Sequence, residues 1–258
     1  MSKLIFVTGA SSGIGQALAW RYYQDGYDLA LVARRTQDMQ AWATKQGLAE
    51  SRYQIYGADV AVIDSIVAAA RLCLERQGVP DVVIANAGVS IGVDTAVRGD
   101  LDVLVQTFAI NNVGLAATFH AFVEPMVQRG SGALVGIGSV AGIRGLPGHG
   151  AYCASKAGVI GYCESLRGEL RHTGVKVVTI CPGYIDTPLT QKNRYAMPFL
   201  MQPEVFAEKA FRAIGAGASY RVIPWQMGWV AKGLRLLPNW LFDKVLSGRP
   251  RKRRANEV

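Results

Sequence analysis

A tyrosine and a lysine four residues apart, in Tyr152-Cys153-Ala154-Ser155-Lys156, are the residues of this chain whose types and spacing best suit a reaction. On a helix, positions i and i+4 share one face. An ammonium beside a phenol favours the phenolate and draws its pKa down from about 10. That would make Tyr152 a usable general acid or base near neutral pH. Ser139, upstream in Gly138-Ser139-Val140-Ala141-Gly142, could donate a hydrogen bond to an oxygen that gains negative charge. The trio fits proton exchange at a carbonyl or alcohol oxygen. A Y-x-x-x-K pair alone arises easily by chance, so its weight depends on its company.

That company begins at the N-terminus. Leu4–Thr8 reads as a strand and runs into Gly9-Ala10-Ser11-Ser12-Gly13-Ile14-Gly15, then directly into a helical pattern. Glycines at such a turn let the backbone approach a pyrophosphate, and a helix N-terminus offers unpaired N–H groups and a positive dipole end. The spacing is G-x-x-x-G-x-G. The second strand ends Leu31-Val32-Ala33-Arg34-Arg35, with Ala33 where NAD enzymes usually carry a carboxylate for the ribose hydroxyl. A guanidinium pair there suits a 2′-phosphate by charge and fork geometry, which favours NADP(H) over NAD(H). The competing reading of Arg34 and Arg35 is a solvated helix start. Asp59-Val60 follows the third strand and Asn86-Ala87-Gly88 the fourth. Asp59 could meet an adenine amino group and Gly88 could admit a ribose, although turn chemistry explains each equally well.

Strand and helix patterns alternate around these residues. Short apolar, β-branched runs fall at Leu4–Thr8, Asp28–Ala33, Arg52–Gly57, Val82–Ala85, Gly132–Gly138, Val175–Cys181 and Tyr220–Ile223. Helical patterns lie between them, among them Gly13–Asp25, Val62–Gln77, Asp100–Gln128 and Ala151–Arg171. Continuously apolar runs such as Val82-Val83-Ile84-Ala85 belong to strands covered on both faces. The pattern predicts an α/β fold, a Rossmann-type doubly wound parallel sheet of seven strands with helices on both faces. Residues 1–223 form that domain, with no linker or internal repeat dividing it. After the sixth strand, Pro182, Pro188, Pro198 and Pro203 punctuate a stretch rich in apolar residues, which reads as a lid over an apolar pocket or as ordinary loop packing.

In order and spacing these motifs resemble the short-chain dehydrogenase/reductase family, in its single-domain branch of this length. The resemblance runs from residue 3 to about 223 and includes Thr8–Gly15, Asn86–Gly88, Asn111 with Gly114, Ser139, Tyr152 with Lys156, and Pro182-Gly183 leading to Thr187. It implies hydride exchange between a nicotinamide and a carbonyl carbon, with Tyr152 exchanging the proton. By the same resemblance Lys156 would bind the nicotinamide ribose and hold the Tyr152 pKa down, and Ser139 would orient the carbonyl. Asn111 would anchor a water relaying protons from Lys156; Asn112 beside it lacks the glycine at the family's offset. Pro182, Gly183, Ile185 and Thr187 would line the nicotinamide end. Ala85 departs from the asparagine that many members carry, and Ser12 from a basic residue found in some NADP-dependent ones. A homodimer or homotetramer paired through Asp100–Gln128 and Ala151–Arg171 is also implied. The alternatives are a non-catalytic NADP-binding sensor or scaffold on the same fold, against which the intact set of Asn111, Ser139, Tyr152 and Lys156 counts, and isomerase or dehydratase chemistry.

Composition sets outer bounds. The 258 residues are 50% hydrophobic and 18% charged, which excludes wholesale disorder and a polytopic membrane protein. Cys73, Cys153, Cys163 and Cys181 form no C-x-x-C pair and no zinc spacing, so no disulfide framework and no metal are expected. The four apolar residues Leu4–Val7 are too few for a signal-peptide core, and the reading is cytoplasmic.

The net charge of +9 is uneven. Residues 221–258 hold nine basic and two acidic side chains, leaving 19 and 17 for residues 1–220. Residues 224–247 form a C-terminal helical extension in which Trp225, Trp229, Leu236, Leu237, Trp240 and Phe242 mix with Lys232, Arg235 and Lys244. Residues 248–258 form a basic tail expected to be disordered. Pro238 interrupts the extension, which is too short in apolar run to span a bilayer. Two readings stand: peripheral contact with an anionic membrane through residues 225–254, or cover for a substrate pocket or subunit interface. Nucleic-acid binding is not expected, because no aromatic and basic surface accompanies the arginines in the main domain. Starting from that extension, the family's acyl-carrier ketoreductases, which stop at the last strand, are a poorer match than steroid- and lipid-type reductases.

Overall fold

A computed structural model describes residues 2–191, 193, 195–248 and 250–255. Seven strands, β1 (Leu4–Thr8), β2 (Asp28–Ala33), β3 (Tyr53–Gly57), β4 (Val82–Ala85), β5 (Gly132–Ile137), β6 (Val175–Pro182) and β7 (Tyr220–Ile223), form one sheet. Its order is β3-β2-β1-β4-β5-β6-β7, and every neighbouring pair is parallel. The strand order reverses between β1 and β4, and ligands of such sheets sit in the crevice outside the carboxyl ends there. The chain reaches that edge in the turn after β1 and in the segments after β4, β5 and β6.

Alternation along each strand builds two cores, one per face of the sheet. Ile5 and Val7 of β1 and Leu29 and Leu31 of β2 enter one core with α1 (Gly13–Gln24), α2 (Thr36–Gln46) and α7 (Pro203–Gly215). Leu4 and Phe6, with Ala30 and Val32, enter the other with α3 (Ile63–Gln77) and α5 (Gly114–Arg129). The helix α6 (Gly150–Glu169) contributes Val159, Cys163 and Leu166 to that second core. Period-two side chains on a sheet covered from both sides require apolar residues at every position, which is why β1, β2 and β4 read as continuous runs.

The pattern over Asp100–Gln128 is not one helix. It divides into α4 (Arg98–Phe108), a π-helical turn over Ala109–Val113, and α5. The turn widens where Asn111 and Asn112 reach inward for polar partners and where Gly114 lies against Val60; a Cβ there would sit 2.6 Å from the Val60 carbonyl oxygen. Inserted π turns of this kind gather at functional sites.

Beyond β7 the chain forms α8 (Trp225–Leu236) and α9 (Asn239–Leu246). The tail expected to be disordered over residues 248–258 is packed on the domain over residues 250–255, while 249 and 256–258 lie outside the described residues. Gly92 N donates to the Arg253 carbonyl at 2.8 Å, and Lys252 is only 8% exposed. Arg254 binds buried Asp100 through two hydrogen bonds of 2.7 and 3.2 Å. A carboxylate withdrawn from water needs a cationic partner, and Arg254 supplies it.

Candidate active site

The turn after β1 owes its shape to glycine. Gly9 and Gly13 have φ of +70° and +56°, the left-handed region that disfavours side chains. A Cβ at Gly9 would lie 2.8 Å from the Asn86 side chain, and one at Gly15 only 2.2 Å from the Gly9 carbonyl oxygen. Ser12 precedes α1 without a side-chain cap, so the first N–H groups of that helix point toward the crevice. The Thr8 hydroxyl accepts from Asn86 N and Ala87 N, both at 3.1 Å, and the Asn86 amide donates to the Thr8 carbonyl at 2.9 Å. Asn86 therefore braces the strand ends that carry the turn.

At the end of β2, Arg34 and Arg35 are well exposed at the rim. Arg35 donates to the Ser11 hydroxyl at 3.0 Å and pairs with Asp38 at 2.6 Å, while Arg34 lies 3.5 Å from Asp59. Asp59 also closes a turn by accepting from Ala61 N at 3.0 Å. Its turn role and its place on the crevice thus coexist.

The crevice encloses about 320 Å³. Of the residues singled out in the sequence, all but Gly15 and Asn111 line it. Gly15 is excluded because it packs beneath Gly9. Asn111 is almost fully buried: its carbonyl oxygen accepts from Val89 N at 2.9 Å, and its amide donates to Val89 O and the Ser155 hydroxyl at 3.1 and 2.9 Å. It fixes the loop after β4 against α6. Asn112, on the same π turn, instead donates to the Ser155 carbonyl at 2.9 Å.

Ser139, at the end of β5, lies buried with its hydroxyl accepting from Ala141 N at 3.1 Å. Tyr152 and Lys156 project from the first turns of α6. The Lys156 ammonium donates to the Ile137 carbonyl at 2.7 Å and sits 5.9 Å from the centre of the Tyr152 ring. The expected lowering of the phenol pKa is not met in this cleft. Burial pushes Tyr152 up to about 12, with the neighbouring Ser139 hydroxyl working the other way. Burial also pulls Lys156 down to about 8. Withdrawal from water disfavours the charged form of each group, and Lys156 is turned toward Ile137 rather than the phenol oxygen.

A second cavity of about 170 Å³ continues from Ser139 and Tyr152. Tyr184, Tyr195, His149, Leu146 and Leu189 line it, and α8 closes it with Met227, Val230 and Leu234. Burial holds His149 below its usual pKa. Its Nδ1 faces the Pro147 carbonyl at 3.1 Å, which places the proton there and leaves Nε2 to accept from the Tyr195 hydroxyl at 3.1 Å. Leu189 and Tyr195 belong to the Pro-punctuated stretch that reads as a lid over an apolar pocket, whereas His149 and Tyr184 do not stand out in the sequence, since no spacing links them to it before the chain folds. Of the readings of the extension, cover for a pocket describes one face of α8.

The profile of the short chain dehydrogenases matches residues 3–197. The chain belongs to that family. An uncharacterized oxidoreductase of Myxococcus xanthus is 38% identical over 241 residues, covering 93% of this chain and 95% of that protein. An alcohol dehydrogenase of Thermococcus sibiricus, solved with 5-hydroxy-NADP, is 25% identical with a TM-score of 0.75, covering 86% of this chain and 95% of its own. A short chain dehydrogenase/reductase of Burkholderia phymatum, solved with NAD, shares the fold at a TM-score of 0.81 and 23% identity, covering 96% of each chain. The chain is thus an oxidoreductase of the short-chain dehydrogenase family, and the two solved relatives hold an NADP-type and an NAD cofactor.

Proposed function

We propose that this short-chain dehydrogenase is NADP(H)-dependent and interconverts an apolar ketone or aldehyde with its alcohol, on a lipid-, steroid- or ketoacyl-like substrate. The observation that carries the reading is the junction of the two cavities: Ser139 and Tyr152 line both. A dinucleotide lying along the glycine turn and a carbonyl compound in the apolar pocket would meet at these two hydroxyls. The glycine cradle and the uncapped start of α1 fit a pyrophosphate, so the residues present suit such a cofactor.

When bound, the nicotinamide would supply or accept the hydride at the substrate carbon. Tyr152 gives its phenolic proton to the oxygen in reduction and recovers it in oxidation. A phenol held protonated up to about pH 12 is the form that reduction requires. Ser139 orients the oxygen and donates to it as charge develops. Lys156 serves the ribose, and Asn111 holds the loop after β4 that borders it. Arg34 and Arg35 support NADP(H): two guanidinium groups at the end of β2 complement a 2′-phosphate, and Arg35 already reaches Ser11 of the turn.

The same reading places the protein in the cytoplasm, supported by four cysteines that are all free and buried. It also makes the active species a homodimer or homotetramer, supported by exposed Leu101, Leu104 and Val105 on α4 and by the exposed small residues Ala154, Ala157 and Gly161 on α6. The test is consumption of NADPH and of NADH with ketones and aldehydes of rising chain length. The proposal requires turnover that favours NADPH and grows with apolar size; turnover confined to NADH would overturn the cofactor assignment.

A further inference from the structure

The pocket takes up only one side of α8. On the other side Trp225, Trp229 and Leu236 are 63%, 68% and 84% exposed. With Lys232 they fall at i, i+4, i+7 and i+11, which is a single stripe along the helix. The Lys232 ammonium stands 5.6 Å from the centre of the Trp229 ring. The helix α9 adds Trp240, 69% exposed, and Val245. Exposed charges on the two helices are Lys232, Arg235 and Lys244 against Asp243 alone. The basic tail contributes less than its sequence suggests, because Arg254 is bound to Asp100 and Lys252 is buried.

We infer that the outward faces of α8 and α9 are a docking surface for a lipid bilayer bearing anionic headgroups. Indole rings carry an apolar body and one N–H donor, so they settle where hydrocarbon meets water. Lysine and arginine beside them extend to the headgroups and pair with their charge. The surplus of cations selects an anionic surface over a neutral one. Among the described residues no helix is long and apolar enough to cross a membrane, so the helices lie in the interfacial plane. Because the opposite side of α8 lines the apolar pocket, docking sets that pocket beside the bilayer. A carbonyl substrate dissolved in lipid would then reach Tyr152 with little travel through water; this last step rests on the proposed reductase activity, whereas the docking does not.

Vesicle flotation of the full chain tests the docking without cofactor or turnover. The probes are vesicles of phosphatidylcholine alone and of equal parts phosphatidylcholine and phosphatidylserine. The chain floats with the mixed vesicles, more weakly as salt rises, and far less with phosphatidylcholine alone. W229S/L236S/W240S, which alters exposed positions outside the pocket, lowers affinity for the mixed vesicles by about tenfold or more at an unchanged Tm. K232E/R235E/K244E removes the preference for phosphatidylserine. No flotation of the native chain with mixed vesicles overturns the inference. So does equal binding by W229S/L236S/W240S, or a native assembly that this variant splits into smaller species while neither binds vesicles, which would assign the stripe to a second copy of the chain.

Discussion

Inside the cleft, Tyr152 keeps its proton up to about pH 12 while Lys156 releases its own near 8, because burial penalises phenolate and ammonium alike. The lysine makes a stability signature with a definite sign. In the unfolded chain its pKa is 10.5, so between about 8 and 10.5 the unfolded state binds the extra proton. Folding is then favoured as pH rises through that window, and the cost of burying the charge is fully present below it. Urea unfolding of wild type and Lys156→Met across pH 7 to 10.5 (about the window in question) should show the wild type gaining on the variant by a few kcal/mol. A difference that does not move with pH would mean that Lys156 is hydrated. Arg35 supports a second prediction at this scale. Arg35→Ser removes one guanidinium from the rim and its bond to Ser11, and should weaken NADPH binding by about tenfold to a hundredfold with little change for NADH. Titration of both nucleotides by fluorescence reads the ratio.

At the scale of elements, the glycine turn and α1 form one unit whose backbone is packed on itself. Gly15→Ala forces a methyl group into the Gly9 carbonyl, 2.2 Å from where its Cβ would sit. The expected cost is about 1–3 kcal/mol of stability, from overpacking, together with weaker dinucleotide binding as the turn shifts. Thermal unfolding with and without NADPH checks both. This unit was legible in the sequence because its signal is local: strand, glycines and helix follow one another without a gap. The π turn was not. Asp100–Gln128 carries a continuous amphipathic pattern, and five residues of wider winding leave no mark in a period averaged over that length. The offset to Gly114 separated Asn111 from Asn112, but the partners of each were hidden for the same reason, since they depend on which of the two the turn aims at Val89. The pairing of His149 with Tyr195 was also invisible, being made across 46 residues by a single hydrogen bond. The extension was ambiguous because α8 is apolar on two opposite sides, one against the pocket and one outward.

For the whole molecule, the sheet brings four chain segments to one edge, and the C-terminal part returns to complete the second cavity. The tail residues Lys252 and Arg254 tie that return to the loop after β6 and to α4: Lys252 donates to the Leu189 carbonyl at 3.3 Å, and Arg254 binds Asp100. Composition suggested a solvated tail because nothing in a run of arginines names its partners; a buried carboxylate more than 150 positions away supplied one. The crevice and the apolar pocket thereby become one continuous site joined at Ser139 and Tyr152, and the proposed activity rests on Tyr152 as its acid and base. Carbonyl reduction by wild type and Tyr152→Phe, with NADPH binding measured in the same samples, tests that claim most directly. The variant is expected to bind NADPH as tightly as wild type and to lose between about 10² and 10⁴ of turnover. A variant that binds NADPH and reduces carbonyls as fast as wild type would contradict it.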